Sequence, residues 1–451
     1  MNNKLFGTDG IRGVANKDLT PALAMQVGYA AASVLSEKLG RPAKFLLATD
    51  TRISKDMLAA ATSAGIMSAS SSVTNLGVLS TPAVAYLVCE LHADAGIVIS
   101  ASHNPFEYNG IKIFNSEGYK LSDELEEAIE ERIMDPSKKA LSFYQETGSY
   151  EFADFSELYI DHLVSCAKIA SPEQYHIAVD CSNGASSVTA ERLFARLGIK
   201  ADIIHCKPDG KNINTFCGST DLRSLSAYVR RNNLDLGIAF DGDADRMLAV
   251  DENGNEVDGD HVIAICAKRM LEKGILKGKT VVGTIMSNLG LRRFCEDHGL
   301  SFFAAKVGDR YVLEEMNASG YNIGGEQSGH IIFSDYATTG DGQLAAIMLL
   351  GALSESGKKL SELASCMTHY PQVTLNVHAT PVQKSLITES PAILAAADEI
   401  RAVLGKEGRV LLRASGTEPL IRVMIEGKDE ESIERMAKDL VSVIESEKQK
   451  N

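Results

Sequence analysis

Apolar and polar residues along this chain alternate between two rhythms. Short apolar runs end abruptly in polar turns, and longer stretches follow in which apolar residues recur every three or four positions. The first rhythm is that of strands buried on both faces, the second that of helices with one buried side. Thr20-Pro21 reads as an N-cap with proline in the first turn, opening a helix from Ala22 to Leu39 that stops at Gly40. Lys44 to Thr49 predicts a strand ending in the loop Asp50-Thr-Arg52, with a helix over 54–70 behind it. Ile97-Val-Ile99 ends another buried strand, and Ser100-Ala-Ser-His-Asn-Pro105 is the turn at its end, closed by proline. Asn109 to Phe114 is a strand and Ser122 to Met134 an acidic amphipathic helix, while 135–148 lacks periodicity and reads as a linker.

The rhythm restarts near residue 155. It gives a helix Phe155–Lys168, the strand His176–Asp180 with the loop Cys181-Ser-Asn-Gly184, a helix over 185–197 and the strand Asp235–Phe240. Met247–Val250 and the turn Glu252-Asn-Gly254 then predict a hairpin. A third cycle starts near Gly259, with helices over 260–272, 288–298 and 343–353, strands Thr280–Thr284 and 301–304, and the glycine-rich Gly324-Gly-Glu-Gln-Ser-Gly-His330 leading into Ile331–Phe333. From about 369 the order becomes strand (372–377), helix (391–404), strand (409–413), strand (420–426), helix (430–447). The expected domains are 1–150, 151–256 and 257–368, each α/β, and a smaller α+β module over 369–451. Strand–helix alternation predicts largely parallel, helix-covered sheets in the first three, which share a rhythm but no sequence repeat.

Composition narrows the class. The 451 residues are 45% apolar and carry a net charge of −15, which argues against nucleic acid or an anionic membrane as the main partner. An anionic substrate would need cationic residues concentrated locally. The start, Met1-Asn-Asn-Lys-Leu-Phe, has no apolar signal-peptide core, and the longest apolar run, Leu344 to Leu353, is too short to span a bilayer. Eight cysteines are scattered from Cys89 to Cys366 with no CxxC pair, which points to a reduced cytoplasm and no structural zinc.

The turns carry the candidate chemistry. Ser102, beside His103, sits at a strand end, where open α/β sheets bind ligands. A serine hydroxyl is a poor nucleophile unless it is activated or already carries a phosphoryl group; the alternative is a turn whose Ser and Asn bond their own backbone. Phe6-Gly-Thr-Asp-Gly-Ile-Arg-Gly13 reads as a loop offering Thr8, Asp9 and Arg12 to a phosphate, or as a plain turn. Lys112, between apolar neighbours, either points back into the crevice or is solvated. Asp241, Asp243 and Asp245, two apart after an apolar strand, repel one another unless a cation joins them, and hard oxygen ligands suit Mg2+ or Ca2+. With Glu252 they imitate a calcium EF-hand, but Arg246 stands where that loop demands glycine, and a strand precedes it. Arg413 and Arg422 flank Ser415, Gly416 and Thr417, a plausible phosphate clamp or a simple hairpin turn. Glu326, Ser328 and His330 offer hydrogen-bond partners for hydroxyls. Together these loops indicate phosphoryl transfer in an interdomain cleft.

In this order, Ser100-Ala-Ser-His-Asn-Pro105, Asp241-Gly-Asp-Ala-Asp-Arg246, Gly325-Glu-Gln-Ser-Gly-His330 and Arg413-Ala-Ser-Gly-Thr-Glu-Pro419 resemble the α-D-phosphohexomutases along essentially the whole chain. Phe6–Gly13, the form of the sugar loop and Thr339-Gly-Asp-Gly342 resemble the bacterial branch acting on glucosamine phosphates. The resemblance implies three related α/β domains with mixed sheets plus a smaller C-terminal α+β domain around a central cleft. By the same likeness these domains carry, in order, the phosphoserine, metal, sugar and phosphate loops. It also implies phosphoserine at Ser102, and one Mg2+ held by Asp241, Asp243, Asp245 and a phosphoserine oxygen. Arg246, Lys112 and Arg12 would supply positive charge, and His103 or His330 would move the hydroxyl proton. Glucosamine 6-phosphate would become glucosamine 1-phosphate through a 1,6-bisphosphate, feeding UDP-N-acetylglucosamine and peptidoglycan. The partner expected is a small hexosamine phosphate, with no nucleic acid or membrane, and a homodimer is compatible with the family. The rivals are a phosphomannomutase/phosphoglucomutase with the same machinery and a phosphoserine-type sugar-phosphate phosphatase.

Overall fold

The computed structural model describes residues 5–7, 9–135, 146–380, 382–414 and 419–450. The chain divides into two compact units, Met1–Met286 with Gly299–Cys366, and Ser287–His298 with Met367–Asn451. Among the described residues no helix is long and apolar enough to cross a membrane.

The first unit holds three sheets. The first is built from β1 (Ile11–Val14), α1 (Pro21–Leu39), β2 (Lys44–Thr49), α2 (Lys55–Ser68), β3 (Ser72–Val78), α3 (Thr81–Glu90), β4 (Ala95–Ile99), β5 (Tyr108–Asn115), α4 (Asp123–Met134) and β6 (Tyr150–Phe152). Its strand order is β1-β5-β4-β2-β3-β6. Thr20 caps α1 by accepting a hydrogen bond from the Leu23 amide at 3.2 Å, and Gly40 ends it in the left-handed region, as the pattern predicts. The second sheet, β11-β10-β9-β7-β8, belongs to α5 (Ser156–Cys166), β7 (His176–Asp180), α6 (Ala190–Arg196), β8 (Lys200–Ile204), α7 (Arg223–Asn232), β9 (Leu236–Phe240), β10 (Met247–Val250) and β11 (Glu256–Val257). The third, β13-β12-β14-β15, is made by β12 (Thr280–Thr284), β13 (Ser301–Ala305), β14 (Gly324–Gly325) and β15 (Ile331–Ile332). Around it are α8 (Gly259–Glu272), α10 (Asp309–Ser319), α11 (Gly342–Ser356) and α12 (Leu360–Ala364).

These sheets are mixed, as the family resemblance implies, and less uniformly parallel than the strand–helix rhythm alone predicts. β4 and β5, β9 and β10, and β14 and β15 are antiparallel. Each of these pairs is joined by a short connection, which cannot accommodate a parallel crossover. The glycine-rich N-terminal segment is also not all loop. Ile11–Val14 pairs antiparallel with β5 as an edge strand, with Gly10 in the left-handed region just before it. The expected helix over 185–197 splits into a tight turn Ala185–Val188 and α6: the amides of Ser187 and Thr189 bond the carbonyls three residues back, Gly184 and Ser186, each at 3.1 Å, instead of four back as in one continuous α-helical ladder. The pattern did not announce β3, α3, α7 or α10. Of the expected linker, 136–145 lies outside the described residues.

The second unit contains α9 (Leu289–Asp297), β16 (Gln372–His378), α13 (Leu386–Glu389), α14 (Pro391–Leu404), β17 (Gly408–Ala414), β18 (Leu420–Gly427) and α15 (Glu430–Lys450). Its antiparallel sheet β16-β18-β17 buries Ile421, Val423 and Ile425 against Ile393, Ala397, Ile433 and Leu440 of α14 and α15. Arg413 and Arg422 are direct cross-strand partners, so both side chains leave the same face.

Candidate active site

Ser102 sits past the end of β4 in the left-handed region, φ 52°, and is buried. Its Oγ donates to Asp241 Oδ2 at 2.6 Å. Asp241 follows β9 directly, and the loop it opens presses against the serine loop: a Cβ at Gly242 would stand 2.6 Å from the Ser102 carbonyl oxygen. Glycine is therefore required there by close approach. Asp241, Asp243 and Asp245 are all buried, and each offers an oxygen within 4.8 Å of the others. Oδ1 of Asp243 and Oδ1 of Asp245 are buried without a hydrogen-bond partner. Burial, with the charges of Asp245 and Asp243, pushes the Asp241 carboxyl well above its ordinary range. Burial works against ionisation of Asp245 too, but Lys112, His330 and Arg246 outweigh it and hold that carboxyl low. Crowded buried oxygens, two of them unsatisfied, fit a hard divalent cation such as Mg2+.

Lys112 is not solvated. On β5, paired with Val98 of β4, it is 2% exposed. Its Nζ lies 2.8 Å from Asp243, 3.2 Å from Asp245 and 3.1 Å from Asp9. Asp9 also meets Arg12, and its Oδ1 lies 2.6 Å from Lys120 Nζ. Lys120 reaches Asp309 Oδ2 at 2.5 Å, and Asp309 lies 3.5 Å from His330 Nε2. His330 Nδ1, 3.7 Å from Asp245, closes the circuit. Five alternating charges (Asp245, Lys112, Asp9, Lys120 and Asp309) and the His330 imidazole thus join the N-terminal segment, β5, the metal loop, the start of α10 and the sugar loop. Burial disfavours charge on Lys112 and Lys120, but their carboxylate neighbours outweigh it and raise both ammonium groups.

The two histidines differ. His103 Nδ1 faces Arg246 Nη1 at 2.7 Å and Ser102 Oγ at 3.5 Å. Burial, then Arg246 and Arg12, lowers it to about 4, so it is neutral at ordinary pH and its Nδ1 accepts from arginine. Burial lowers His330 as well, but Asp245 and Asp309 outweigh it and raise the group. The Gly340 amide donates to its Nε2 at 3.1 Å. A Cβ at Gly340 would stand 2.5 Å from the imidazole, so Gly340→Ala must displace the ring from its present position. Overpacking of this kind costs about 1–3 kcal/mol. We expect Gly340→Ala to fold with a lowered Tm and to lose about 100-fold in kcat, the low end of the range for a misplaced acid–base group. Wild-type kcat in that variant would separate the ring's orientation from turnover.

Of the other expected residues, Arg12 lies beside Asp9, and Arg246 beside His103 and Asp245. Glu326 Oε1 accepts from the Gly308 amide at 3.1 Å, and Ser328 is exposed. Arg413 and Arg422 are in the second unit, while Ser415, Gly416 and Thr417 lie outside the described residues, as does Thr8. The sequence reading missed Lys120, Asp309 and Thr81, whose hydroxyl donates to Asp243 Oδ2 at 2.6 Å. Asp309 reads as an ordinary acidic helix start after Gly308, and Lys120 as a surface lysine.

Comparison with known proteins agrees with this arrangement. Profiles of the phosphoglucomutase/phosphomannomutase family match in order: α/β/α domain I over 3–140, domain II over 157–254, domain III over 258–370 and the C-terminal domain over 375–443. A protein of Ruminiclostridium cellulolyticum described as phosphoglucosamine mutase is 51% identical over 451 residues, 98% of this chain and 99% of its own. One of Caldicellulosiruptor saccharolyticus with the same description is 50% identical over 445 residues, with the same coverage of each. Among solved structures, a phosphoglucomutase/phosphomannomutase family protein of Burkholderia thailandensis superimposes with a TM-score of 0.81 at 23% identity, covering 99% of this chain and 98% of that one. The N-acetylphosphoglucosamine mutase of Aspergillus fumigatus, solved with GlcNAc-6P and magnesium, gives 0.69 at 18% identity, covering 98% and 95%. Matched from end to end at half identity, and by every domain of the family in order, the chain belongs to the α-D-phosphohexomutases.

Proposed function

We propose that this chain interconverts glucosamine 6-phosphate and glucosamine 1-phosphate through a phosphorylated Ser102 and a 1,6-bisphosphate. The observation that carries the chemistry is Ser102 Oγ held 2.6 Å from Asp241 beside two further buried carboxylates. The full-length relatives named phosphoglucosamine mutase support the amino-sugar substrate. In the first transfer the bond from phosphorus to Ser102 Oγ breaks and one to sugar O1 forms, and the O1 proton leaves to a base. After the bisphosphate turns over, its 6-phosphoryl returns to Oγ and the proton goes back to O6. His330 is the base we assign, because Asp245 and Asp309 would stabilise the imidazolium formed when it takes the proton, whereas His103 faces Arg246. Mg2+, held by Asp241, Asp243, Asp245 and an oxygen on Ser102, would neutralise charge on the phosphoryl being transferred. Lys112 and Arg246 add fixed positive charge at the same place.

The test is a coupled assay of the purified protein with the 6-phosphates of glucosamine, N-acetylglucosamine, glucose and mannose. We expect the highest kcat/KM for glucosamine 6-phosphate, with no stoichiometric release of phosphate. A preference for glucose or mannose would move the chain to the phosphomannomutase/phosphoglucomutase reading, and free phosphate to the hydrolase reading. Asp243→Asn should weaken Mg2+ binding by about 10- to 100-fold or more. The rise in Tm that Mg2+ gives the wild type should then disappear at the same Mg2+ concentration; an undiminished rise would remove Asp243 from the metal site.

Arg413 and Arg422, side by side on β17 and β18, suit the phosphate that is not being transferred. A charge-assisted hydrogen bond contributes roughly 1.5–3 kcal/mol, so Arg422→Ala should lower kcat/KM about 10- to 100-fold in both directions. Added glucosamine 1,6-bisphosphate should restore part of the rate. An effect in one direction only would exclude a shared clamp.

A further inference from the structure

The serine loop is gripped from behind by residues that never reach the front of the site. Arg52, in the loop after β2, is completely buried. Its Nη2 donates to the carbonyl oxygens of Ser102 and Asn104, each at 2.8 Å, and its Nη1 donates to that of Pro105. Its Nε is fixed by Asp50 Oδ2 at 2.8 Å. That same carboxylate oxygen takes the Ser100 hydroxyl at 2.6 Å, and Ser100 Oγ accepts the Ser102 amide at 3.0 Å. From the second sheet's loops, Asn214 Nδ2 reaches the same two carbonyls, Ser102 at 2.9 Å and Asn104 at 3.1 Å. The amide orientation of Asn214 is set by Ser182 Oγ, which donates to its Oδ1 at 2.7 Å. Thr51 Oγ1, bonded to the Asn183 carbonyl at 2.6 Å, ties the Arg52 loop to the same neighbour.

We infer that Arg52 and Asn214 are positioning residues for phosphoryl transfer, clamping the backbone of Ser102 in the left-handed conformation that aims its Oγ at the carboxylate cluster. This rests on reading Ser102 as the phosphoryl carrier. A serine in that region is strained, and strain persists only where the surroundings over-determine it. Here both backbone polar groups of Ser102 are engaged, its amide by Ser100 and its carbonyl by two side chains from different sheets. Only a planar guanidinium can serve Asp50 and three carbonyls at once; an ammonium cannot span them. The clamp also turns the carbonyl dipoles of Ser102, Asn104 and Pro105 toward the Arg52 guanidinium.

The test uses Arg52→Lys and Asn214→Gly in the full-length protein. Glycine keeps the positive φ of Asn214, so that variant removes the side chain without backbone strain. For each, kcat, KM, Tm and free phosphate released per turnover are measured, with intact mass reporting phosphate on Ser102. We expect kcat to fall about tenfold for Asn214→Gly and about a hundredfold for Arg52→Lys. KM should stay within about twofold, and phosphate leakage should rise as the phosphoryl group is presented less accurately to the sugar. A merely structural role would lower Tm and folded yield but leave kcat per folded molecule and leakage unchanged, and that result overturns the inference. If Arg52→Lys does not fold, Asn214→Gly decides alone. Absence of phosphate on wild-type Ser102, with activity surviving in Ser102→Ala, would instead overturn the carrier reading, separately from the clamp.

Discussion

Ser102→Ala is expected to yield a folded protein with no measurable mutase activity, a loss of about 10⁶-fold on the scale of deleting a nucleophile from an intact site. Among the described residues the hydroxyl donates to Asp241 and lies 3.5 Å from His103 Nδ1, and the loop's backbone bonds run through its amide and carbonyl instead, so removing the hydroxyl leaves them in place. Alanine shares serine's cost in the left-handed region, so the change in stability should stay within about 1 kcal/mol. Peptide mapping of the wild type should place phosphate on Ser102, and the variant should lack that mass. Substantial turnover in Ser102→Ala would overthrow the phosphoserine mechanism outright.

Lys112→Met should be the second most damaging change, and it should damage both turnover and stability. Lys112 lies within 3.2 Å of three carboxylates, Asp9, Asp243 and Asp245. A methionine of similar volume fills the space but leaves that negative charge uncompensated. Breaking a buried pair from one side costs about 3–5 kcal/mol. Loss of a fixed cation facing a developing negative charge costs about 10²–10³ in kcat. The stability deficit should shrink when Mg2+ is added, because a cation among the same carboxylates takes over part of the screening, whereas kcat should stay low. Equal deficits with and without Mg2+ would mean that Lys112 and the cation do not share the Asp cluster. Calorimetry across an Mg2+ titration, run beside steady-state kinetics, makes the comparison.

The elements that position the site were legible because their reasons are local. Thr20-Pro21 and Gly40 delimit α1 through a cap and a left-handed stop. The apolar runs into Ile99 and Phe240 end at the turns that carry Ser102 and Asp241, because an abrupt switch from apolar to polar residues marks a strand end. The direction of the strands was less legible, since β4–β5 and β9–β10 are decided by short connections rather than by apolar pattern. Arg52 and Asn214 looked like ordinary loop residues, because the carbonyl oxygens they serve belong to residues 50 and more positions away.

The sequence alone determined the fold class and marked the loops that carry the candidate residues, each being a property of a few neighbouring positions. Three crowded aspartates repel one another unless a cation or a proton relieves them, and a serine just past a strand end stands where open α/β sheets bind ligands. Only the tertiary structure decided how charge is shared. It turned Lys112 from a strand lysine into the buried counter-ion of three carboxylates, linked Asp9, Lys120 and Asp309 to His330, and paired His103 with an arginine. The physical reason is that burial and Coulomb energy depend on which groups meet in space. Lys112 and Asp243 meet across 131 residues, and Lys120 and Asp309 across 189, so no local pattern contains their interaction.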